Sequence, residues 1–499
     1  MFAVVVATRA PLMPRHLFHF DSVNFALALE DFDPGLHQPQ PPGYPLFVLL
    51  SRLLHLLVRR PEDVFFLAGA LAATVAVLLL YKLGEEIDGR ATGVVAALLL
   101  LFHPVLWFSG LTNQVRTYLA VVSCAVALAA FRALRPSAPV SDLYWVALTL
   151  GVLSGFRPTS LPLLIPLLIL VGVRRRAAWQ DWVLSGACMV APVAVWGGAT
   201  VIASGGAAKY LSLIREYADT QFAATSLLFG APPDGALQML ESAVVYNFLG
   251  SIRWIWVILP LAVWRIWPSW QGLRLFLAAW FLPGFLFSSL VHVADPDQAL
   301  LTIPALCLVG ARLMTSLFQH GRKGYLAAAA AVAVAVGVVL FFHPMRGRAR
   351  SVSYRVVQTV DREVSSTIAA ISRHRQEQGL VILWHDGLVT WRQLSYYFPE
   401  KRLIVVEPSG AVWELSGTRR QEVQRAELDY LLPIGTKVAF ILPPPGRGIR
   451  PSLRRSLGIR EEGGVAFADP VPGSRFHLGG VSFVVPQTPT LKPAELIHF

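Results

Sequence analysis

The segment HFDSVNFALALEDFDPGLHQPQPPGYPLF, residues 19–47, concentrates acidic residues and proline in an otherwise apolar chain. It holds four carboxylates, two histidines and five prolines, whereas the whole sequence of 499 residues has 31 Asp and Glu, 12 His and 35 Pro. Its first part, DSVNFALALE, has apolar residues at helical spacing and predicts a short interfacial helix with Asp21 or Ser22 as the N-cap. The second part, HQPQPPGYP, predicts a stiff, extended return to the membrane, because proline fixes φ and disfavours helix before it.

The rest of the chain has the composition of a polytopic membrane protein. Hydrophobic residues make up 55% of the sequence and the mean hydropathy is +0.54, whereas soluble domains contain roughly 45–50% apolar residues. With a first helix before residue 13, the apolar runs predict an α-helical membrane domain over 1–343 with about 11 spans. The later spans are expected at 64–83, 91–109, 115–133, 143–156, 159–173, 182–204, 241–264, 273–291, 298–317 and 325–342.

Residues 344–499 are predicted to form a soluble α/β domain. The stretch 352–376 has amphipathic helical spacing, and GLVILWHD, RLIVVEP and TKVAFILPPPG have the composition of strands. The formal net charge of +12 is scattered over short loops and this tail, so a nucleic-acid partner is not expected. The three cysteines lie in apolar runs, which excludes a disulfide framework in the tail.

Positive residues set the expected orientation, because Lys and Arg in short loops are retained on the cytoplasmic side. The segment 44–58 is too short to span comfortably and is assigned to the membrane interface. Among the short loops between spans, those that then face the cytoplasm hold more basic residues than the opposite ones, and they include the run Arg174–Arg176. The opposite face receives the loop 13–60, the long loop 205–240 and the C-terminal domain. The first helix is short and contains Arg9, and its completeness stays open.

The loop 13–60 resembles the first external loop of the GT-C superfamily of integral-membrane glycosyltransferases, which includes protein O-mannosyltransferases and the lipid A aminoarabinose transferase. In the bacterial branch, Asp-Ser is followed by a His and by Pro-Pro-Gly-Tyr-Pro-Leu, matched here by Asp21, Ser22, His37 and residues 41–46. Weaker resemblances are carried by LLLFHPVLWFSGLTNQVRTYLA, GVLSGFRPTSLPLLIPLL and HVADPDQALLTIPALCLVGA.

This resemblance implies an enzyme of the bacterial inner membrane that moves a sugar from a polyprenyl-phosphate donor to an acceptor on the extracytoplasmic face. The sugar, the acceptor (protein, glycan or lipid) and a mono- or diphosphate carrier stay open; membrane lipids are the other expected partner. A secondary transporter is an alternative, although no internal repeat is apparent. A non-catalytic scaffold is another, because relatives often carry an acidic residue where this chain has Gln114.

The implied reaction needs a carboxylate to take a proton from an acceptor hydroxyl and fixed positive charge for the phosphate. Asp21 is the candidate catalytic base, with helix capping as its alternative role. Arg116 and Arg157 are candidate phosphate ligands at the external ends of spans, with snorkelling to the head groups as the alternative. The sequence GFRPTS predicts a helix break, which favours Arg157.

Other polar residues expected on the same face are candidates for substrate binding, and we expect them to line one cavity: His37, Gln38, Tyr44, Gln114, His292 and Asp295. For His37 the alternative is a solvated side chain. Asp295 and Asp297 predict a proline-containing turn, since H-x-x-D-x-D is a weak metal signature. No metal ligand or cofactor is therefore assigned, and a divalent metal stays open.

Overall fold

The chain divides into two compact units. The computed structural model describes residues 1–229, 272–292, 296–318, 323–344, 352–377, 381–384, 388–406, 412–416, 419–423, 429–432, 434–441, 458–478 and 481–487. Unit 1 comprises Met1–Pro14 and Asn24–Val357, and unit 2 comprises Arg15–Val23 and Gln358–Phe499.

Helices make up the described chain before residue 344. In chain order they are α1 (Phe2–Arg9), α2 (Phe20–Glu30), α3 (Pro45–His55), α4 (Pro61–Asp88), α5 (Arg90–Leu101), α6 (Pro104–Thr112), α7 (Gln114–Ala133), α8 (Asp142–Leu153), α9 (Ser160–Arg174), α10 (Trp179–Ala203), α11 (Ala207–Thr225), α12 (Arg274–Leu286), α13 (Ile303–Phe318) and α14 (Lys323–Phe342). A π-helical turn (Phe287–Val291) extends α12, and a 3-10 segment (Pro296–Leu301) precedes α13.

Five described stretches are long and apolar enough to cross a membrane: α4, α7, α10, Arg274–Val291 and Gly324–Phe342. Helices α5 and α6 together form a further candidate that is bent by 50°. The apolar helices α8, α9 and α13 are shorter. The chain is therefore an integral membrane protein. The predicted count of about 11 spans includes 241–264, which lies outside the described residues.

Two predicted spans differ from the observed helices. The predicted span 91–109 is broken at residues 102 and 103, because Pro104 lacks a backbone N–H and starts a new helix. The predicted span 298–317 begins as the 3-10 segment and becomes α-helical only at Ile303.

The start of α2 also differs from the prediction. The helix begins at Phe20, and Nδ1 of His19 accepts a hydrogen bond from the backbone N–H of Asp21 at 3.2 Å. Asp21 therefore lies inside the first turn, and the prediction that Asp21 or Ser22 is the N-cap is wrong. The ring of His19 takes the acceptor role that an N-cap side chain usually has.

The segment that follows α2 is compact, so the predicted extended return is wrong. The carboxylate of Asp33 accepts a hydrogen bond from Gly35 N at 2.7 Å, and Asp33 and Gln38 exchange two backbone hydrogen bonds of 2.8 and 3.0 Å. A second turn closes where Gly43 N donates to Gln40 O at 3.0 Å. An aspartate that imitates a backbone turn, and Gly43 at φ +106°, supply turn chemistry that competes with the extended form.

Unit 2 contains the strands predicted for the tail. They are β1 (Val381–Trp384), β2 (Arg402–Val406), β3 (Val412–Ser416), β4 (Arg419–Val423), β5 (Asp429–Leu431), β6 (Val438–Ile441), β7 (Arg460–Glu462), β8 (Val465–Ala468), β9 (Arg475–Leu478) and β10 (Val481–Val484), with the helices α15 (Tyr354–Arg373) and α16 (Trp391–Tyr397). A seven-stranded sheet has the order β4-β3-β2-β1-β6-β8-β7, and β5-β10-β9 form a second sheet. Strand β1 pairs in parallel with β2 and β6.

Both faces of the larger sheet are buried. Leu403 and Val405 of β2 pack in a cluster with residues of α15, whereas Ile404 and Val406 pack in another with residues of the second sheet. This explains why LIVV, residues 403–406, is apolar without alternation, as expected for a strand that is covered on both sides.

Residues 15–23 belong to unit 2, although the sequence prediction placed them with the membrane domain. Arg15 N donates to the carboxylate of Asp361 at 2.7 Å, and Nε2 of the buried Gln393 donates to Leu17 O at 2.7 Å. These contacts join residues more than 340 positions apart, which no local sequence pattern indicates.

The predicted orientation of the membrane helices is testable by labelling single cysteines in a background without the native cysteines. A cysteine at the exposed Leu36 should react with an impermeant thiol reagent in intact cells. One at the exposed Arg174 should react only after lysis, because basic residues of short loops are retained inside. The reverse labelling pattern would contradict the predicted orientation.

Candidate functional site

The break between α8 and α9 positions Arg157. Helix α8 ends at Leu153 and α9 begins at Ser160, so the helix break predicted from GFRPTS is confirmed. Both the backbone N–H and the hydroxyl of Ser160 donate to Arg157 O, at 2.9 and 2.7 Å. The backbone of Arg157 is thereby fixed, and its side chain is only 5% exposed.

The first loop docks on the same break. Leu46 N donates to Gly155 O at 3.1 Å. A Cβ atom on Gly155 would lie 2.7 Å from the side chain of Leu46, which is closer than real Cβ atoms come, and 3.0 Å from Trp196. Glycine therefore suits this close contact, and the motifs PPGYPL and GFRPTS meet although more than 100 residues separate them.

Tyr44 brings an aromatic ring to Arg157. The guanidinium carbon of Arg157 lies 4.9 Å from the centre of the Tyr44 ring, in cation–π range. Tyr44 is 3% exposed and has a left-handed backbone with φ 50°, as has His37 with φ 55°. This conformation costs a residue with a side chain about 1–2 kcal/mol. Such strain persists where the surroundings enforce it, and it concentrates at functional sites.

The second partner of Arg157 is also neutral. Its Nη2 donates to Oε1 of Gln298 at 3.3 Å, and its buried Nε has no hydrogen-bond partner. Among the residues that the structure describes, no carboxylate forms an ion pair with Arg157. Within the described residues, the nearly buried guanidinium thus has no carboxylate to balance its charge, which is the arrangement that an anionic ligand favours.

Arg116 differs from Arg157 in having a carboxylate partner. Its Nη1 forms a hydrogen-bonded ion pair with Asp297 of the 3-10 segment, and the two residues are 7% and 2% exposed. Both arginines are candidate phosphate ligands from the sequence. In the structure, the carboxylate of Asp297 balances the charge of Arg116 within unit 1. Asp297 lies in the 3-10 segment that follows the predicted proline-containing turn.

Ser123 holds the other end of the 3-10 segment. Its hydroxyl donates to Leu301 O at 2.6 Å and accepts a hydrogen bond from Nε1 of Trp280 at 2.7 Å. Sequence analysis missed Gln298, Ser123 and Trp280 as members of this network. Single polar residues within apolar helices have no spacing signal that would indicate such contacts.

Gln114 lies at the junction of α6 and α7. It is 8% exposed and its Nε2 donates to Leu111 O at 3.1 Å. A Cβ atom on Gly69 of α4 would approach the Gln114 side chain to 2.9 Å. Gln114 is thus packed between helices. In the described part of the chain, no three His, Cys, Asp or Glu side chains form a group that could hold a metal.

Helix α11 contacts the first loop. The rings of His37 and Tyr217 are 6.5 Å apart, and the hydroxyl of Tyr210 donates to Pro42 O at 3.1 Å. Tyr210 and Tyr217 are seven residues apart and therefore share one face of the helix. Gln38, the neighbour of His37, is 7% exposed and pairs through its backbone with Asp33.

The C-terminal end of α11 contacts His292. The hydroxyl of Thr225 and Nδ1 of His292 are 2.9 Å apart, and Leu227 N donates to Leu290 O at 3.0 Å. One helix of the long loop therefore contacts two of the predicted site residues, His37 and His292. Asp295, another candidate, lies outside the described residues.

Asp21 belongs to unit 2. Its side chain is 21% exposed, and one carboxylate oxygen lies 3.9 Å from Nδ1 of His19. The same unit fixes the preceding residues through the contacts of Arg15 and Leu17 described above. Asp21 is not the N-cap of α2, because Nδ1 of His19 accepts the capping hydrogen bond at the start of this helix.

Comparisons with known proteins bear on the family and the fold. The model of the dolichyl-phosphate-mannose-protein mannosyltransferase family matches residues 38–196, which include Tyr44, Arg116 and Arg157. The crystal structure of ArnT from Cupriavidus metallidurans in the apo state matches 94% of this chain and 96% of its own, with a TM-score of 0.56 and 14% identity. The chain therefore has the same fold as this ArnT structure.

The ArnT structure bound to undecaprenyl phosphate matches equally well, with a TM-score of 0.56 and 14% identity over 93% of this chain and 96% of that one. The Archaeoglobus fulgidus oligosaccharyltransferase in the apo form is less similar, with a TM-score of 0.44 and 12% identity over 80% of this chain and 62% of its own. No curated protein sequence matches this chain significantly.

The buried pair of Arg116 and Asp297 is expected to stabilise the fold. Asp297→Ala leaves the guanidinium buried without its partner, which typically costs about 3–5 kcal/mol, so the melting temperature of the purified protein should fall clearly. The matched control is Asp219→Ala, because Asp219 is exposed on α11. The double variant Arg116→Met/Asp297→Leu removes both charges and should recover most of the loss. Equal melting temperatures for Asp297→Ala and the control would contradict a structural pair.

Proposed function

We propose that the protein is a lipid-carrier-dependent glycosyltransferase. It moves a sugar from a polyprenyl-phosphate donor to an acceptor on the extracytoplasmic face of a bacterial inner membrane. The observation that carries this proposal is Arg157, a buried guanidinium that has only neutral partners among the described residues and sits where the first loop docks on a helix break. A polyprenyl phosphate is an anion that a membrane protein can meet from the lipid phase.

The fold supports the choice of carrier. ArnT, which matches over nearly the whole of both chains, has been crystallised with undecaprenyl phosphate bound. A guanidinium presents paired N–H donors to two phosphate oxygens, which suits it better than an ammonium group to this recognition. In this chain the candidate phosphate ligand is Arg157, because Arg116 already forms an ion pair with the carboxylate of Asp297.

The chemistry that follows is displacement of a phosphate by a hydroxyl. A phosphate is a good leaving group, so no general acid is needed, and positive charge near the phosphate stabilises the charge that develops as the sugar–oxygen bond breaks. A carboxylate base takes the proton of the attacking acceptor hydroxyl. We assign this base to Asp21, which the resemblance of the first loop favours and which has no capping role.

The residues on and beside α11 are proposed to contact the sugar or the acceptor. His37 and His292 lie against Tyr217 and Thr225 of this helix. Side chains that combine rings and hydroxyls are typical of sites that bind polar ligands with apolar faces. The sugar and the acceptor remain open in this proposal.

The phosphate role of Arg157 is tested by carrier binding. Arg157→Ala should weaken the binding of undecaprenyl phosphate to the purified protein in nanodiscs by roughly 10- to 100-fold, the value of one or two charge-assisted hydrogen bonds. The affinity of Arg157→Lys should lie between those of the parent and of Arg157→Ala, because an ammonium lacks the planar fork of a guanidinium. The control is Arg174→Ala, since Arg174 is exposed at the end of α9. Unchanged affinity in both Arg157 variants would contradict the proposed phosphate contact.

The catalytic role of Asp21 is tested by turnover. Asp21→Asn keeps the size of the side chain but loses the proton acceptor, and loss of a general base typically removes ~10² to 10⁴ in rate. Sugar transfer from a radiolabelled polyprenyl-phosphate sugar should therefore fall by that amount in proteoliposomes, while carrier affinity and melting temperature stay close to the parent.

Asp31→Asn is the matched control, because Asp31 is exposed just after α2. If Asp21→Asn turns over at the parent rate, the base is another carboxylate of the loop, and Glu30, Asp31 and Asp33 are the next to test. Carrier binding without any turnover in the parent protein would favour a non-catalytic scaffold.

A further inference from the structure

The 3-10 segment Pro296–Leu301 is anchored near both ends. Asp297 is fixed by the buried ion pair with Arg116. Leu301 O is held at 2.6 Å by the hydroxyl of Ser123, which Trp280 fixes in turn at 2.7 Å. The backbone of Gln298, between these anchors, therefore has little freedom to move.

From this fixed position Gln298 reaches Arg157. Its Oε1 accepts a hydrogen bond from Nη2 of Arg157 at 3.3 Å. The oxygen of the amide must face the arginine, because a guanidinium has donors only. With the ring of Tyr44 at 4.9 Å, the guanidinium has two contacts that set its direction.

The neutrality of Gln298 is as important as its reach. A glutamate at this position would have almost the same length, but its carboxylate would pair with the guanidinium and cancel the charge that a phosphate needs. Arg116, in the same unit, is an example of a guanidinium whose charge is balanced in this way, because it pairs with the carboxylate of Asp297. An apolar side chain at 298 would preserve the charge but would no longer orient it.

We propose that Gln298 is a positioning residue that orients the Arg157 guanidinium and, being neutral, leaves the positive charge available to the phosphate of the lipid carrier. This inference rests on the proposed function and assigns to the HVADPDQ segment a role in carrier binding that acts through Arg157. Gln298 does not itself bind the carrier.

The test is the binding of undecaprenyl phosphate to the full-length protein in nanodiscs. Gln298→Glu should weaken binding roughly 10- to 100-fold, as Arg157→Ala does, because it removes the available charge. Gln298→Met is similar in length and neutral, and should weaken binding by only about 3- to 10-fold, the value of one ordinary hydrogen bond. Gln180→Glu adds the same charge at an exposed position and should bind like the parent.

A double variant shows whether Gln298 acts through Arg157. Gln298→Glu should cause no further loss in the Arg157→Ala background, because the group that it neutralises is gone. Parent-like binding by Gln298→Glu, or an equal loss with and without Arg157, would overturn the positioning role. If Gln298→Glu does not fold, parent-like binding by Gln298→Met overturns it instead. If Arg157→Ala binds undecaprenyl phosphate like the parent, this result contradicts the proposed phosphate contact of Arg157, and with it the positioning role of Gln298.

Discussion

Within the described residues, the Arg157 guanidinium is buried without a carboxylate partner, and the proposed site depends on this constraint. Moving a charge out of water costs several kcal/mol even after the protein relaxes. The ring of Tyr44 returns about 0.5–2 kcal/mol and the hydrogen bond to Gln298 about 1.5–3 kcal/mol, so the neutral contacts offset the penalty only in part. We infer that an anion beside Arg157, such as the phosphate of a lipid carrier, supplies the remainder.

The backbone around Arg157 determines where the guanidinium and its contacts lie. The helix break frees the side chain from α8 and α9, and the contact between Leu46 and Gly155 brings the first loop onto the break. Tyr44 reaches the guanidinium from a left-handed backbone conformation that few residues with side chains adopt. Strain of this kind is maintained because the surrounding contacts are stronger, and it places a ring where a relaxed loop would not.

The sequence predicted what depends on local pattern. The membrane class, most helix positions, the break at GFRPTS and the strands of the tail follow from hydropathy, proline and β-branched composition. The sequence could not separate Arg116 from Arg157, because the partner of Arg116 is 181 residues away and that of Arg157 is 141 residues away. The cap of α2 and the compact turns after it were predicted wrongly, because the His19 ring and the Asp33 carboxylate compete with the usual propensities.

The most direct measurement is an experimental structure of the protein in nanodiscs with undecaprenyl phosphate bound. The expected result is that the phosphate oxygens lie within hydrogen-bond distance, about 2.7–3.2 Å, of the Arg157 guanidinium, while Tyr44 and Gln298 keep their contacts with it. A phosphate bound elsewhere in the protein, with Arg157 still held only by Tyr44 and Gln298, would contradict the central claim.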